Sequence, residues 1–165
     1  MRRPVRDGFT LVELLIVIAV IGILAAIAAP FLVAAKVASN EANAIGSLRA
    51  INSAEQAFAS TCGRGAYSVS IPVLVSGSYM SPDVLLRPKS SYVVAVAAGL
   101  ASIPGPDDCT GVATETNYYA SATPLAITGG RRGFATNVSG TIWQDKTGAV
   151  PVEPFVRTPD VGPIQ

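Results

Sequence analysis

The chain begins with an apolar run and continues as a segment in which polar and apolar residues are mixed. No side chain in residues 14–35 is charged or polar. As a helix rising about 1.5 Å per residue, this run would reach about 33 Å, close to the hydrocarbon thickness of a bilayer. The pattern therefore predicts a membrane-spanning helix, followed beyond Lys36 by a folded domain with a polar surface.

The pattern after Lys36 predicts that the helix continues to about Cys62, because apolar residues recur at steps of three and four. The predicted apolar stripe consists of Ala38, Ala42, Ile45, Leu48, Ile51, Ala54 and Phe58. The predicted polar face consists of Asn40, Glu41, Asn43, Ser47, Asn52 and Ser53. Gly63 is expected to cap the end of the helix. We expect the stripe to pack against the domain that follows.

Residues 63–165 are expected to form a small head that contains a β-sheet. Together with the long helix, this predicts the α+β fold class. Four short segments rich in β-branched and aromatic residues predict strands, namely SYVVAVAA, TNYYASAT, RGFATN and TIWQD. We expect an antiparallel sheet of three or four strands packed on the long N-terminal helix, with a tight hairpin around Ser139 and Gly140. Residues 149–165 contain repeated prolines and are expected to run extended over the surface.

Composition and charge argue against several functional classes. The chain has 12 basic and 11 acidic residues and no histidine. The near-zero net charge gives no electrostatic argument for nucleic acid, and the absence of histidine removes the commonest general base and metal ligand. The pairs Arg131-Arg132 and Tyr118-Tyr119 are more typical of a solvated strand end and half-buried tyrosines than of a nucleic-acid site. We expect no catalytic residue, cofactor or metal site.

The two cysteines, Cys62 and Cys109, are expected to form a disulfide, with two free thiols as the alternative. The three arginines of the first six residues precede the apolar run, so the positive-inside rule leaves the N-terminus in the cytoplasm and places both cysteines outside it. A plain signal anchor fits this topology equally well.

Several carboxylates could suggest a calcium loop, but we identify no calcium-loop spacing among them, and the run Pro104-Gly105-Pro106 favours a plain turn. The carboxylates are Asp107, Asp108, Glu115 and Asp145.

Glu13 is the unusual residue of the N-terminal segment. It lies inside the apolar stretch, where a carboxylate in hydrocarbon costs about 2.5 kcal/mol or more. One interpretation places it near the membrane interface, where the helix N-terminus favours negative charge. That interpretation explains why a carboxylate is tolerated and not why one is present.

A short basic leader, MRRPVRDG, is followed at once by FTLVELLIVIAVIGILAAIAAP. This junction resembles the N-terminus of type IV prepilins and of the pseudopilins of type II secretion. The resemblance implies that prepilin peptidase cuts between Gly8 and Phe9 and that the new amine of Phe9 is methylated. Gly8 suits such a cut because a residue without a side chain lets a protease accept extended backbone.

The resemblance also implies roles within a filament. Glu13 would neutralise the amine of Phe9, within one subunit or in a neighbouring copy, and so favour assembly and help to set the stagger between subunits. Gly22 and Pro30 would be weak points at which the helix can locally unwind in a fibre. The implied fold is the type IV pilin fold. The implied segments are a leader at 1–8, a transmembrane half-helix at 9–35, an amphipathic half-helix at 36–62 and a head at 63–165.

The function implied is that of a structural subunit of a type IV pilus-like filament, with no enzymatic activity of its own. The implied partners are copies of itself, prepilin peptidase, an inner-membrane platform protein with a cytoplasmic assembly ATPase, and an outer-membrane secretin. Before assembly the chain would span the inner membrane once. Afterwards it would lie in an extracellular pilus or a periplasmic pseudopilus. The alternatives are a type II secretion pseudopilin and a monomeric membrane-anchored binding domain.

Overall fold

The computed structural model describes residues 9–85 and 90–164. The helical elements are α1 (Leu11–Thr61), α2 (Ile71–Ser76) and a 3-10 helix (Pro82–Leu85). The strands are β1 (Tyr92–Ala98), β2 (Tyr118–Pro124), β3 (Gly133–Asn137), β4 (Trp143–Asp145) and β5 (Val161–Pro163). The chain divides into two compact units, Met1–Lys36 and Val37–Gln165, and α1 contributes residues to both.

In the first unit α1 is an apolar helix without contacts to a core. All side chains of residues 9–36 are exposed, and the helix is long and apolar enough to cross a membrane. A helix suits that environment because its backbone groups are hydrogen-bonded within the segment. The helix continues through Gly22 and Pro30 in the single chain. Local unwinding at these two residues in a filament stays a prediction.

In the second unit the strands form one five-stranded antiparallel sheet in the order β1-β2-β3-β4-β5. The four predicted strands are confirmed, and α+β architecture with them. The prediction of at most four strands is wrong, because part of the proline-rich tail pairs with β4 as a fifth strand. Proline is acceptable there because β5 lies at the edge of the sheet, where one row of backbone groups needs no partner.

The core of the second unit lies between α1 and the sheet. Leu48, Ile51 and Phe58 of α1 are almost fully buried together with Tyr118 of β2 and Phe134 of β3. Burying side chains of this size contributes about 1.5–3 kcal/mol each. The later part of the predicted apolar stripe is therefore confirmed.

For the earlier part of the stripe, the prediction of which helix face is buried is wrong. Ala38 and Ala42 are exposed, whereas Asn40, Glu41 and Asn52, which were expected to face solvent, are buried. Polar side chains tolerate burial when they are hydrogen-bonded, and these have specific partners in the head. The helix therefore buries a face that is mixed in chemistry.

Asn52 connects α1 to two neighbouring strands. Its Nδ2 donates to Thr136 Oγ1 of β3 at 3.1 Å and to the Gly140 carbonyl at 3.2 Å. Its Oδ1 accepts from the hydroxyl of Tyr118 in β2 at 2.9 Å. One amide thus satisfies three buried or partly buried groups and fixes the height of the helix on the sheet.

Glu41 forms an ion pair with Arg132. Its Oε2 accepts from Arg132 Nη2 at 2.6 Å and from Nε at 2.8 Å, while Oε1 accepts from the amide of Arg131 at 3.0 Å. Burial opposes ionisation of Glu41, but these hydrogen bonds and the guanidinium charge outweigh it and hold the pKa of Glu41 below its ordinary value. Arg132 is therefore not the solvated strand end that the sequence suggested.

Glu55 is a second buried carboxylate, and it has no cation in contact with it among the described residues. Its Oε2 accepts from the amide of Ser68 at 2.9 Å and its Oε1 from the Ser68 hydroxyl at 3.1 Å. Burial raises the pKa of Glu55, and the hydrogen bonds from Ser68 offset only part of that effect. The two buried glutamates of α1 are thus shifted in opposite directions.

The predicted disulfide is confirmed, since Cys62 and Cys109 are bonded. The bridge connects the residue after α1 to the long loop between β1 and β2. Position 63, next to the bridge, has room only for glycine, because a Cβ there would clash with the Ala66 carbonyl and the Phe58 ring. The helix ends at Thr61, one residue before the predicted end.

Removing the disulfide is expected to destabilise the head. The bridge closes a loop with a sequence separation of 47 residues, and the chain-entropy model gives about 4 kcal/mol for a loop of this size. We expect the double variant C62S/C109S to lose about that free energy of unfolding. The measurement is denaturation of the full chain in detergent micelles, followed by near-ultraviolet circular dichroism. Reduced wild type is the control, and equal stability of all three forms would contradict the prediction.

The buried glutamates should give opposite pH dependence. The stabilisation from ionised Glu41 is fully present above its unfolded pKa of 4.5 and is lost as pH falls through its lower folded pKa. E41Q should therefore lower the free energy of unfolding by about 2 kcal/mol at pH 7 and change it little in acid. For Glu55 the protein loses stability as pH rises from 4.5 through the higher folded pKa, because the buried carboxylate then has to ionise. E55Q should therefore stabilise the fold at pH 7 and have little effect below pH 4.5.

The free energy of unfolding, measured for both glutamine variants across this pH range, checks the pair. Each variant serves as the control for the other because both replace a carboxylate of α1 by an amide of the same size. Equal effects of the same sign at pH 7 would refute the assignment.

Candidate functional site

The N-terminal end of α1 is closed by a reciprocal set of hydrogen bonds between Thr10 and Glu13. The helix begins at Leu11, so Thr10 is its N-cap and Glu13 its third residue. The Glu13 amide donates to Thr10 Oγ1 at 3.2 Å, and the Thr10 amide donates to Glu13 Oε2 at 2.9 Å. This is a capping box, which satisfies two amides that the helix itself leaves without partners.

The capping box leaves part of the Glu13 carboxylate for other partners. The Thr10 hydroxyl also donates to Glu13 Oε2, at 2.6 Å, so all hydrogen bonds to this carboxylate from described residues reach a single oxygen. Glu13 is exposed in the single chain, as is Phe9, which is 82% exposed.

The predicted cleavage site is only partly visible. Gly8 and the leader at 1–8 lie outside the described residues, so the structure bears on Phe9 alone. Cleavage and methylation therefore stay predictions. Thr10 was not identified as a functional residue from the sequence, although a threonine three residues before a glutamate, at the start of an apolar run, is the pattern of a capping box.

The apolar surface of α1 is the largest chemical feature of the first unit. Its leucine, isoleucine, valine and phenylalanine side chains between residues 9 and 33 are each about half exposed or more. Monomeric soluble proteins rarely expose contiguous apolar patches beyond a few hundred Å², so such a surface indicates contact with lipid or with other helices. Gly22 lies within this surface, and a Cβ there would meet no other part of the described chain.

Two of the four carboxylates considered for calcium, Asp108 and Asp145, are engaged in their own turns. Asp108 Oδ1 accepts from the amides of Thr110 at 2.7 Å and Val112 at 2.9 Å, and the Val112 bond is the main cause of its lowered pKa. Asp145 Oδ1 accepts from the Thr147 amide at 2.8 Å. Within residues 9–85 and 90–164, no group of three or more His, Cys, Asp or Glu side chains could hold a metal ion.

The basic and aromatic pairs do not form one surface. Arg132 is paired with Glu41 and its guanidinium lies 5.5 Å from the Phe134 ring centroid. Tyr118 is fully buried, whereas Tyr119 is half-buried with its hydroxyl donating to the Pro151 carbonyl at 2.6 Å. Of the four side chains, Arg131 is the one that is exposed. A nucleic-acid site at these residues has no support from their geometry.

Comparison with known proteins bears directly on the N-terminal segment. Residues 3–29 match the family model of the prokaryotic N-terminal methylation motif. The type IV major pilin protein PilA of Myxococcus xanthus (strain DK1622) is 46% identical over 55 residues, which cover 33% of this chain. The matched region spans 25% of that relative's length. No solved structure matches the chain.

The motif, the similarity to a major pilin and the architecture are consistent with one another. A long apolar helix precedes a head in which its continuation packs on a five-stranded antiparallel sheet, as expected for a pilin-like protein. The chain is therefore similar to type IV pilins in its N-terminal motif, in the matched 55 residues and in its pilin-like α+β arrangement.

Proposed function

We propose that the protein is a structural subunit of a type IV pilus-like filament, polymerised through the N-terminal part of α1. The observation that carries the proposal is the apolar surface of residues 9–36, all of which is exposed in the single chain. A bilayer can cover that surface before assembly, and the same surface of other copies can cover it afterwards. The matched methylation motif and the similarity to a major pilin support this proposal.

In the proposed mechanism, the charge of Glu13 favours the assembled filament over the single subunit in the membrane. Cleavage after Gly8 by prepilin peptidase creates a cationic amine on Phe9, which is then methylated. The capping box occupies Glu13 Oε2, so Oε1 accepts the amine of a neighbouring copy. An unpaired carboxylate in hydrocarbon is costly and a neutralised one much less so, hence subunits in register are favoured.

The chain itself supplies the polymerising surface and no energy. Before assembly it spans the inner membrane once with its N-terminus in the cytoplasm. A platform protein in that membrane, driven by a cytoplasmic assembly ATPase, extracts subunits into the filament, and an outer-membrane secretin provides the exit. We place the assembled protein in an extracellular pilus. The relative's name is that of a major pilin, and this favours a pilus over the periplasmic pseudopilus of type II secretion.

Substitutions at the capping box separate its two functions. Glutamine can replace glutamate in a capping box but carries no charge, so E13Q should keep the cap and lose the attraction for the amine. We expect E13Q to reduce sheared surface fibres about as strongly as E13A, by about tenfold or more, since a buried pair left with one partner costs about 3–5 kcal/mol. The measurement is the amount of this chain in the sheared fraction, with the membrane-bound amount as reference.

T10V is the matched control for the Glu13 variants. It removes the hydroxyl of the cap and keeps the carboxylate, at a cost of about 1 kcal/mol in helix stability. We expect T10V to assemble far better than E13Q. If E13Q assembles normally and T10V does not, Glu13 acts in capping and the charge-pairing mechanism is wrong. If both glutamate variants form fibres at the wild-type level, a monomeric membrane anchor becomes the better account.

The processed N-terminus gives an independent prediction. Intact-mass and fragment mass spectrometry of native material should show a chain that begins at Phe9 with a methylated amine. G8A is the matched variant, because the added methyl group hinders the extended backbone that the peptidase must accept, and it should accumulate with its leader. Native material that retains residues 1–8 would contradict the proposed processing.

A further inference from the structure

The connection between β2 and β3 carries an exposed apolar tip. Residues 125–128, termed the β2–β3 loop, are all exposed, with Leu125 at 55% and Ile127 at 83%. The loop is held in a defined shape, because the amides of Gly129 and Gly130 donate to the Ala126 carbonyl at 2.9 and 3.1 Å. Both glycines are buried at its base. An exposed isoleucine on an ordered turn has no role in the core of the head.

Hydrogen bonds place this loop at the end of the head where its part of α1 begins. Asn40 Nδ2 donates to the Gly129 carbonyl at 2.7 Å, and the Arg131 amide donates to Glu41. At its far end β3 reaches Asn52 through Thr136. Strand β3 therefore runs alongside α1 from the level of Glu41 to that of Asn52. The loop that precedes β3 lies at the Glu41 end.

The length of the chain limits how far this loop can lie from the end of the apolar run. Asn40, which binds the base of the loop, is five residues beyond Ala35. Five residues span about 17 Å even when fully extended, and about 8 Å as a helix. The headgroup layer on each side of a bilayer is about 5–7 Å thick. When the apolar run occupies the membrane, the base of the loop is within reach of that layer.

The composition of the loop fits a lipid surface. Leu125 and Ile127 provide apolar side chains of the kind that enter the boundary between headgroups and acyl chains. The exposed guanidinium of Arg131 follows directly and would attract anionic headgroups. The charge of the adjacent Arg132 is neutralised by Glu41. The β2–β3 loop thus presents two apolar side chains, and one exposed cation follows it in the chain, at the end of the head that is joined to the apolar run.

We propose that the β2–β3 loop inserts Leu125 and Ile127 into the interfacial layer of the membrane in which the subunit is anchored before assembly. The inference rests on the membrane anchoring in the proposed function and adds a second contact between the head and lipid. Such a contact restricts the orientations of the head above the membrane. It is released when the subunit is extracted into a filament.

The test uses the full chain in vesicles of phosphatidylethanolamine and phosphatidylglycerol at a low protein-to-lipid ratio. The vesicles contain a phospholipid with a diazirine close to its headgroup, and adducts are located by tandem mass spectrometry after irradiation. We expect adducts in residues 9–35 and in residues 125–128. Val152 and Val156 are the matched internal control, because both are exposed and apolar, at 79% and 63%.

The control residues lie at the opposite end of the head. Pro151, next to Val152, accepts from Tyr119 near the start of β2, and Glu153 accepts from Asn137 at the end of β3. L125S/I127S should lose loop labelling by about tenfold, because the serines remove most of the apolar area that favours the interface. V152S/V156S should leave loop labelling unchanged.

The outcomes separate the loop from the anchor. If residues 9–35 are labelled but the loop is labelled no more than the segment around Val152, the loop proposal is overturned and the membrane anchoring stands. Loss of labelling in residues 9–35 overturns the anchoring itself. A second arm places a photo-crosslinking amino acid at Thr128. A lipid adduct supports the proposal, and a covalent dimer of the chain in its place assigns the loop to a contact between copies and overturns it.

Discussion

The apolar surface at the start of α1 cannot be satisfied by the chain that carries it. Every side chain in residues 9–36 is exposed, and a surface of this size is unstable in water. The requirement for a bilayer or for other copies follows from this constraint. The capping box meets a related requirement, since an amide without a partner in apolar surroundings costs free energy. Thr10 and Glu13 supply those partners from within the chain.

The same helix meets a different requirement after Lys36. There its buried face combines Leu48 and Phe58 with the polar side chains of Glu41 and Asn52. Apolar contacts provide most of the favourable free energy, but they specify position along the helix weakly. The hydrogen bonds of Asn52 and the ion pair of Glu41 are directional, and each has one set of partners in the head. They fix where the helix lies on the head.

The sequence predicts the coarse features of this protein well. An uninterrupted apolar run, four strand segments and two cysteines expected to lie outside the cytoplasm predict the helix, most of the sheet and the disulfide. The helix face at Asn40 and Glu41 was mispredicted because periodicity assigns polar residues to solvent, and the partners that make their burial favourable lie about 90 residues away in sequence. Strand β5 was missed for a related reason, since its pairing depends on β4 rather than on its own composition.

The candidate site divides in the same way. Glu13 is conspicuous in sequence because a carboxylate is expensive in hydrocarbon, whereas Thr10 is an ordinary residue until its hydrogen bonds are known. The loop at residues 125–128 shows no signal in sequence, because its position beside the start of the helix within the head depends on the contact with Asn40. Local chemistry can be read from the sequence, and long-range placement cannot.

The disulfide has a mechanical consequence for a subunit under load. It joins the residue after α1 directly to Cys109, so a pull that enters along the helix and leaves through β2 or any later strand follows the sulfur–sulfur bond. The intervening polypeptide, with α2 and β1, lies outside that covalent path. A pull applied in this way would therefore load the sheet from β2 onward and would not draw out the loop that the disulfide closes.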